Sequence, residues 1–142
     1  MQDWLHFTDS RIALALQYPK VTPQGNLVEL DENHEQDTVR VHFRSTGSRE
    51  VYFEITKYQD LSPQMEYEQH KENLERRPEK FVLTDFREIG WMSQPAYEYS
   101  LRWSQGSRVV RLIEFENSTY RVLYDPFSPL NVQILLTLRW TY

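Results

Sequence analysis

The sequence predicts an α+β fold in which helices flank an antiparallel β-sheet, and three observations support this. Aromatic residues make up 14% of the 142-residue chain, a richness that favours strands. Several segments alternate apolar and polar residues with a period of two, most clearly residues 97–103. Short turns join these segments, which is typical of antiparallel neighbours. The length is that of one domain, so we expect residues 1–142 to form a single domain.

An apolar segment opens the chain and is predicted to form a strand pair. Ile12, Leu14 and Leu16 alternate as the inward side of a strand, and Pro19 ends it. A loop containing Pro and Gly follows. Residues 29–37 then hold five carboxylates and almost nothing apolar, so we expect this stretch to be an exposed acidic connection.

A hairpin and a helix come next. Apolar residues recur at period two in residues 39–43 and 51–55, on either side of a Ser-Thr-Gly-Ser turn, and this predicts a hairpin. Ser62 before Pro63 is the clearest helix start, because Ser accepts from an exposed amide and Pro at the first helical position needs no donor. The helix has a narrow apolar stripe, so we expect it on the surface, ending before Pro78.

The second half predicts four more strands, the last three joined as an antiparallel meander. They are residues 81–89, 97–103, 108–115 and 120–124. Ser128 and Pro129 repeat the helix start seen earlier. Val132, Leu135 and Leu136 are predicted to form the inward face of a short final helix.

Charge and composition exclude several function classes. The formal net charge is -5 and the sequence pI is about 5.4, whereas nucleic-acid binding needs a clustered basic surface. The absence of cysteine excludes disulfides and thiolate metal sites. The sequence shows no transmembrane segment and no signal peptide. As it stands it predicts a soluble cytoplasmic protein, or an envelope-associated one if a leader has been removed.

Several segments together carry a resemblance to a known superfamily. They are the strand 12–19 ending in Tyr-Pro, the Ser62-Pro63 helix start, the Gln-Pro-Ala-Tyr-Glu-Tyr string at 94–99, the pair 111–115 and 120–124, and the helix after Asp125. In this order they resemble the PsbP-like and Mog1-like α/β/α sandwich, which includes bacterial domains of unknown function. The resemblance spans nearly the whole chain. It implies a non-catalytic binding or accessory role and carries no catalytic residue over.

Metal and catalytic motifs are weak. Oxygen ligands alternate from Asp31 to Asp37 as in a calcium loop, but Gln36 and His42 stand where that loop needs Gly and Glu. The four histidines lack zinc spacing, and we expect His42 and His70 to face solvent. Neither a nucleophile elbow nor a phosphate-cradling glycine loop is present. We therefore expect no metal, no cofactor and no enzymatic activity.

Arginine and aromatic residues interleave along the meander, a mixture that is enriched at the centres of interfaces. The candidate binding residues are Trp91, Tyr97, Tyr99, Arg102, Trp103, Arg108, Arg111 and Arg121. A structural alternative is that one parity fills the core while the arginines cover the other face, with Glu98 and Glu114 as cross-strand partners. Trp91 is either the lip of a groove or part of a loop tucked onto the core.

Three functional hypotheses follow from these patterns. The leading hypothesis is a non-catalytic binding or accessory domain, monomeric or weakly dimeric, that recognises a protein partner and no nucleic acid. The alternative is a carrier of a small ligand or lipid, with an apolar cleft lined by Trp91, Trp103 and Trp140. The third hypothesis is an enzyme of unrecognised type.

Overall fold

The computed structural model describes residues 4–35, 37–84 and 86–141, in which antiparallel strands dominate. In chain order the elements are β1 (Trp4–Asp9), β2 (Leu14–Pro19), β3 (Val28–Glu35), β4 (Thr38–Ser45), β5 (Tyr52–Gln59), α1 (Pro63–Glu75), β6 (Val82–Leu83), β7 (Arg87–Trp91), β8 (Gln94–Trp103), β9 (Gly106–Phe115), β10 (Ser118–Tyr124), α2 (Pro129–Thr137) and β11 (Arg139–Trp140). Neither helix is long and apolar enough to cross a membrane within these residues.

The strands form two antiparallel sheets. The large sheet has the order β3-β4-β5-β10-β9-β8-β6, and β7 also pairs with β8. The small sheet has the order β1-β2-β11. The predicted fold class, an antiparallel sheet flanked by helices, is confirmed.

One face of the large sheet builds the main core. The period-two alternation of β4, β5 and β10 places Phe43, Phe53 and Val122 on this face, where all three are fully buried. The small sheet and α2 cover this face, with Leu16 and Ile134 in the same cluster. Burial of side chains of this size contributes about 1.5–3 kcal/mol each, so this layer dominates the stability of the fold.

The opposite face of the large sheet packs against α1. Tyr99, Val110 and Leu112 are buried there and contact Leu74 from the helix. α1 begins where the sequence predicts, because the Ser62 hydroxyl accepts a hydrogen bond from the Met65 amide (3.2 Å). The large sheet thus lies between an α1 layer and a layer formed by the small sheet and α2.

The first quarter of the chain contains the predicted strand pair, and two details differ from the prediction. A turn stabilised by Asp9, which accepts from the Arg11 amide, folds β2 back onto β1. Ile12, predicted to lie within a strand, is in this turn and is buried. The acidic stretch is not a simple connection, since it forms β3 and pairs with β4 along its whole length. An edge strand needs no apolar face, and its charges prevent pairing with other chains.

The second half shows two further differences. Residues 81–89 do not form one strand: β6 and β7 pair with different parts of β8, and Asp85 between them lies outside the described residues. In α2, Ile134 and Leu135 face inward while Val132 and Leu136 are exposed, contrary to the prediction for those two. The buried Asn131 fixes which side of α2 faces inward. Its side chain accepts a hydrogen bond from the Tyr52 amide (2.9 Å) and donates one to the Asp125 carbonyl (3.0 Å).

Candidate functional site: a basic groove at one end of the large sheet

The eight candidate binding residues from the sequence do not share one face of the large sheet. Those on the α1 side are Tyr97, Tyr99, Trp103, Arg108 and Arg121, and those on the opposite side are Trp91, Arg102 and Arg111. The split follows from strand parity, because residues separated by an odd number point to opposite faces.

Several of the eight have structural contacts that occupy them. Tyr99 is only 1% exposed, and Tyr97 stacks on Phe86 with ring centroids 4.8 Å apart. Arg111 donates to Glu98 (2.9 Å) across the strands and lies over the Trp91 ring (5.0 Å to the centroid). For Arg111 the structure matches the alternative in which Glu98 is its cross-strand partner, and Trp91 packs against the main core.

Arg121 ties α1 to the sheet. Its side chain is 17% exposed and donates to Glu66 on the helix (2.8 Å) and to Glu54 on β5 (3.3 Å). Both carboxylate side chains are at most 5% exposed. Burial raises the pKa of Glu66, and the charge of Arg121 opposes this rise. Arg121 therefore has a structural partner on each side.

Two histidines that the sequence places in solvent are partly covered. His70 is bonded through Nδ1 to the Tyr99 hydroxyl under α1. Burial lowers the pKa of His70 to about 4, and two nearby arginines add to the effect. His42 packs edge-on against Tyr52 (centroids 4.6 Å apart), and burial is the main reason that its pKa is lowered. The prediction that both face solvent is therefore wrong.

Three candidates remain. Arg102 is exposed on the face opposite α1 and away from the other two, whereas Trp103 and Arg108 lie at one end of the large sheet on the α1 side. Because neighbouring strands run in opposite directions, this end collects the last residues of β4, β8 and β10 and the first residues of β5 and β9. A cleft of about 700 Å³ opens there, lined by Arg44, Arg49 and Arg108 together with aromatic side chains. We call it the arginine cleft.

Arg108 is held in place by its neighbours in the arginine cleft. Its guanidinium lies 4.2 Å from the centroid of the Tyr52 ring and 5.2 Å from that of Trp103, in cation–π geometry. It also lies 3.8 Å from the Asp125 carboxylate. Gly106 permits this packing, since a Cβ there would lie 3.0 Å from the Trp103 ring. The arginine is thus presented in a fixed position.

The rim of the cleft exposes Phe127, 78% accessible to solvent. Its loop is fixed on both sides: the Phe127 amide donates to the Asp125 carboxylate (3.0 Å), and the Ser128 hydroxyl donates to the Glu50 carbonyl. Arg49, also exposed, has no ion-pair partner in the described part of the chain and donates only to the Gln105 carbonyl (3.5 Å). The same cleft therefore presents an exposed aromatic ring and a cation that pairs with no carboxylate among the described residues.

Two further cavities continue the cleft along α1. The first, about 300 Å³, shares Tyr52, Trp103 and Arg108 with the cleft and extends to Arg77 and Phe81. The second, about 750 Å³, shares Arg77 and Phe81 with the first. It ends near Lys71, Lys80 and Val82. We call the three together the basic groove.

Within residues 4–35, 37–84 and 86–141, no group of three or more His, Asp or Glu side chains is placed to hold a metal ion. Asp31 of the calcium-like pattern pairs with Arg44 (3.1 Å) on a strand, and Gln36, its sixth position, lies outside the described residues.

Sequence reasoning missed Arg44, Arg49 and Phe127. Arg44 lies near the end of β4, and Arg49 and Phe127 lie in turns at the same end of the sheet as Trp103 and Arg108. The available signal was the antiparallel strand order, which predicts which turns lie together. The alternative apolar cleft of three tryptophans is wrong. Trp91 and Trp140 pack on the main-core side, whereas Trp103 packs on the α1 side.

Comparison with solved structures identifies the fold. The chain superposes on cyanobacterial PsbP (CyanoP) from Synechocystis sp. PCC 6803 with a TM-score of 0.66 and 9% identity, over 99% of this chain and 94% of that chain. The chain has the PsbP-like fold. The predicted PsbP-like and Mog1-like resemblance is thereby confirmed for the fold.

Further comparisons were made with solved structures, family models and curated proteins. PA94 from Pseudomonas aeruginosa, described as a protein of unknown function and putative regulator, matches with a TM-score of 0.41 and 16% identity, over 91% of this chain and 85% of that chain. No protein-family model and no curated protein matches the sequence.

Proposed function

We propose that this PsbP-like chain is a non-catalytic binding domain that recognises a protein partner at the arginine cleft. The observation that carries the proposal is that one cleft is lined both by Phe127, 78% exposed, and by Arg49, a cation without an ion-pair partner among the described residues. Aromatic residues and arginine dominate the binding energy of protein interfaces. Because two hydrogen bonds order the backbone of the loop that carries Phe127, less backbone entropy is lost there when a partner binds.

The polar groups outside the cleft support a non-catalytic role. His70 and Tyr99 bond to each other beneath α1, and Arg121 bonds to two glutamates. These contacts hold the helix against the sheet, so His70, Tyr99 and Arg121 each have a structural role. We also propose that residues 1–142 act as one domain, since the large sheet contributes to both apolar clusters.

Site-specific photocrosslinking in the protein's own cells tests the proposal. A photoreactive phenylalanine analogue at position 127 is expected to give a discrete protein adduct. The same analogue at position 136 is the matched control, because Leu136 is 79% exposed but lies on α2 away from the cleft. Adducts at both positions, or at neither, contradict the proposal.

A charge reversal in the cleft gives an independent readout. With the analogue at position 127, Arg49→Glu is expected to reduce the adduct at least about tenfold, since a charge at an interface of this kind controls association. Arg139→Glu, on the exposed surface of β11, is expected to leave it unchanged. An adduct that survives Arg49→Glu shows that the cleft is not the binding site.

A further inference from the structure

The basic groove is cationic in an acidic chain. Six cationic side chains and three carboxylates are among its lining residues. They are Arg44, Arg49, Lys71, Arg77, Lys80 and Arg108, against Glu75, Glu79 and Asp125. The groove therefore has a formal excess of three positive charges, whereas the chain as a whole carries -5. This contrast favours an acidic occupant.

Most of these cations are available to a ligand. Arg44 pairs with acidic residues of β3, and Arg108 lies near Asp125. The other four, Arg49, Lys71, Arg77 and Lys80, have no ion-pair partner within the described ranges of the chain. An occupant with carboxylates would pair with charges that the fold itself leaves unneutralised.

The shape of the groove sets the form of the occupant. It runs from Val82 on β6 to Arg44 on β4, across the ends of six neighbouring strands. With neighbouring strands about 4.8 Å apart, five steps span about 24 Å. An extended chain rises about 3.4 Å per residue, so about seven residues fill this length.

The groove also offers apolar contacts. Phe81, Tyr52 and Trp103 line it on the α1 side of the sheet. Exposed apolar side chains flank its two halves, with Val82 67% exposed along α1 and Phe127 at the arginine cleft. A purely ionic ligand would leave these apolar surfaces in water, so the occupant should carry apolar side chains too.

We propose that the basic groove binds an extended acidic segment of the partner protein, about seven residues long, with apolar side chains toward its ends. This inference rests on the proposed function, because it names the chemistry of the partner recognised at the same site. A single-stranded nucleic acid also combines negative charge with flat apolar rings. The net charge of the chain disfavours it, since a polyanion meets repulsion beyond the groove.

Selection from a random library of linear heptapeptides on phage tests the inference. The wild-type chain is expected to select peptides enriched in Asp and Glu with apolar end residues. The best peptide, labelled for fluorescence anisotropy, is expected to bind Arg77→Glu and Arg49→Glu at least about tenfold more weakly than the wild type. Arg139→Glu, outside the groove, is expected to bind like the wild type.

Several outcomes overturn the inference. They are a selection that gives no binders or no acidic bias, binding that Arg77→Glu leaves unchanged, and tighter binding of a heptameric oligothymidine than of the selected peptide. Arg77 separates this inference from the proposed function, because Arg77 lines the cavities along α1 and not the arginine cleft. If position 127 still crosslinks while peptide selection fails, the binding function stands and the extended acidic segment does not.

Discussion

Arg121→Met is the substitution that most directly tests how α1 is attached to the large sheet. The replacement has a similar length and no charge, so it leaves Glu66 and Glu54 without the cation that lies between them. Glu54 retains a second partner, Arg40, at 3.2 Å. Glu66 has no other ion-pair partner among the described residues and is left as an uncompensated buried carboxylate.

The size of the effect follows from this arrangement. Removing one partner of a buried ion pair costs about 3–5 kcal/mol, because the remaining charge stays desolvated. Arg121 retains 17% exposure and Arg40 still reaches Glu54, so we expect the lower end, about 3 kcal/mol of unfolding free energy. For a chain of this length, that lowers the melting temperature by about 10 °C.

The loss should depend on pH, and its sign can be worked out. Burial raises the pKa of Glu66 and Arg121 opposes the rise, so the pKa rises further without Arg121. A carboxyl whose pKa is higher in the folded state favours folding as the pH falls and loses that advantage as the pH rises through the folded pKa. His70 acts in the same direction, because Arg121 contributes to the lowering of its pKa. The difference between variant and wild type should therefore be largest near neutral pH and shrink on acidification.

Urea unfolding followed by tryptophan fluorescence, at about pH 7.5 and about pH 5, measures both parts of the prediction. Arg40→Met is the matched control, because this partner of Glu54 is 48% exposed and its loss should cost less than about 1 kcal/mol. Adding Glu66→Gln to Arg121→Met should recover part of the stability, since the buried charge is then removed. A loss below about 1 kcal/mol, or an equal loss at both pH values, refutes the reasoning.

Three further predictions concern single side chains. Ser62→Ala should cost about 1 kcal/mol in urea unfolding through loss of the helix cap while Ser62→Asp retains it, and equal losses in the two variants would count against the cap. His70 should stay neutral down to about pH 4, so stability should fall as the pH drops below the unfolded value near 6.5; a His70 NMR titration centred near 6.5 contradicts this. Asn131→Leu should cost about 3 kcal/mol, because the Tyr52 amide and the Asp125 carbonyl lose buried partners, and a melting temperature within about 2 °C of wild type argues otherwise.

Local patterns predicted the elements whose burial alternates along the strand. The sequence predicts the hairpin β4-β5 and the meander β8-β9-β10 because these strands alternate between faces of different burial. Apolar and polar residues therefore alternate along each strand with a period of two. β3 was missed because it is an edge strand whose residues are mostly exposed. Its pairing depends on β4, and the composition of β3 alone does not reveal that partner.

Long-range contacts explain the other misses. The sequence of α1 predicts a charged surface helix. Glu66 is nevertheless buried, because Arg121, 55 residues later in the chain, donates a hydrogen bond to it from the sheet. His70 is covered for a similar reason, through Tyr99 on β8. Spacing along the helix contains no information about either partner, so helical periodicity alone predicted solvent exposure for side chains that the sheet covers.

The sequence predicted Trp103 and Arg108 of the arginine cleft but not its other residues. The reason is that a sandwich fold covers the faces of its central sheet and leaves side chains accessible mainly at the strand ends. Both faces of the large sheet are covered over much of their area. Aromatic residues that alternate within strands, such as Tyr99, are therefore buried in the two apolar clusters and cannot contact a partner. Trp103 and Arg108 remain accessible because they stand at strand ends, next to a turn. Antiparallel order brings every second turn to the same end, and that rule places residues 45–50 and 125–128 beside them. In this fold, therefore, turn residues grouped by strand direction are a better guide to a binding surface than the residues that alternate most regularly.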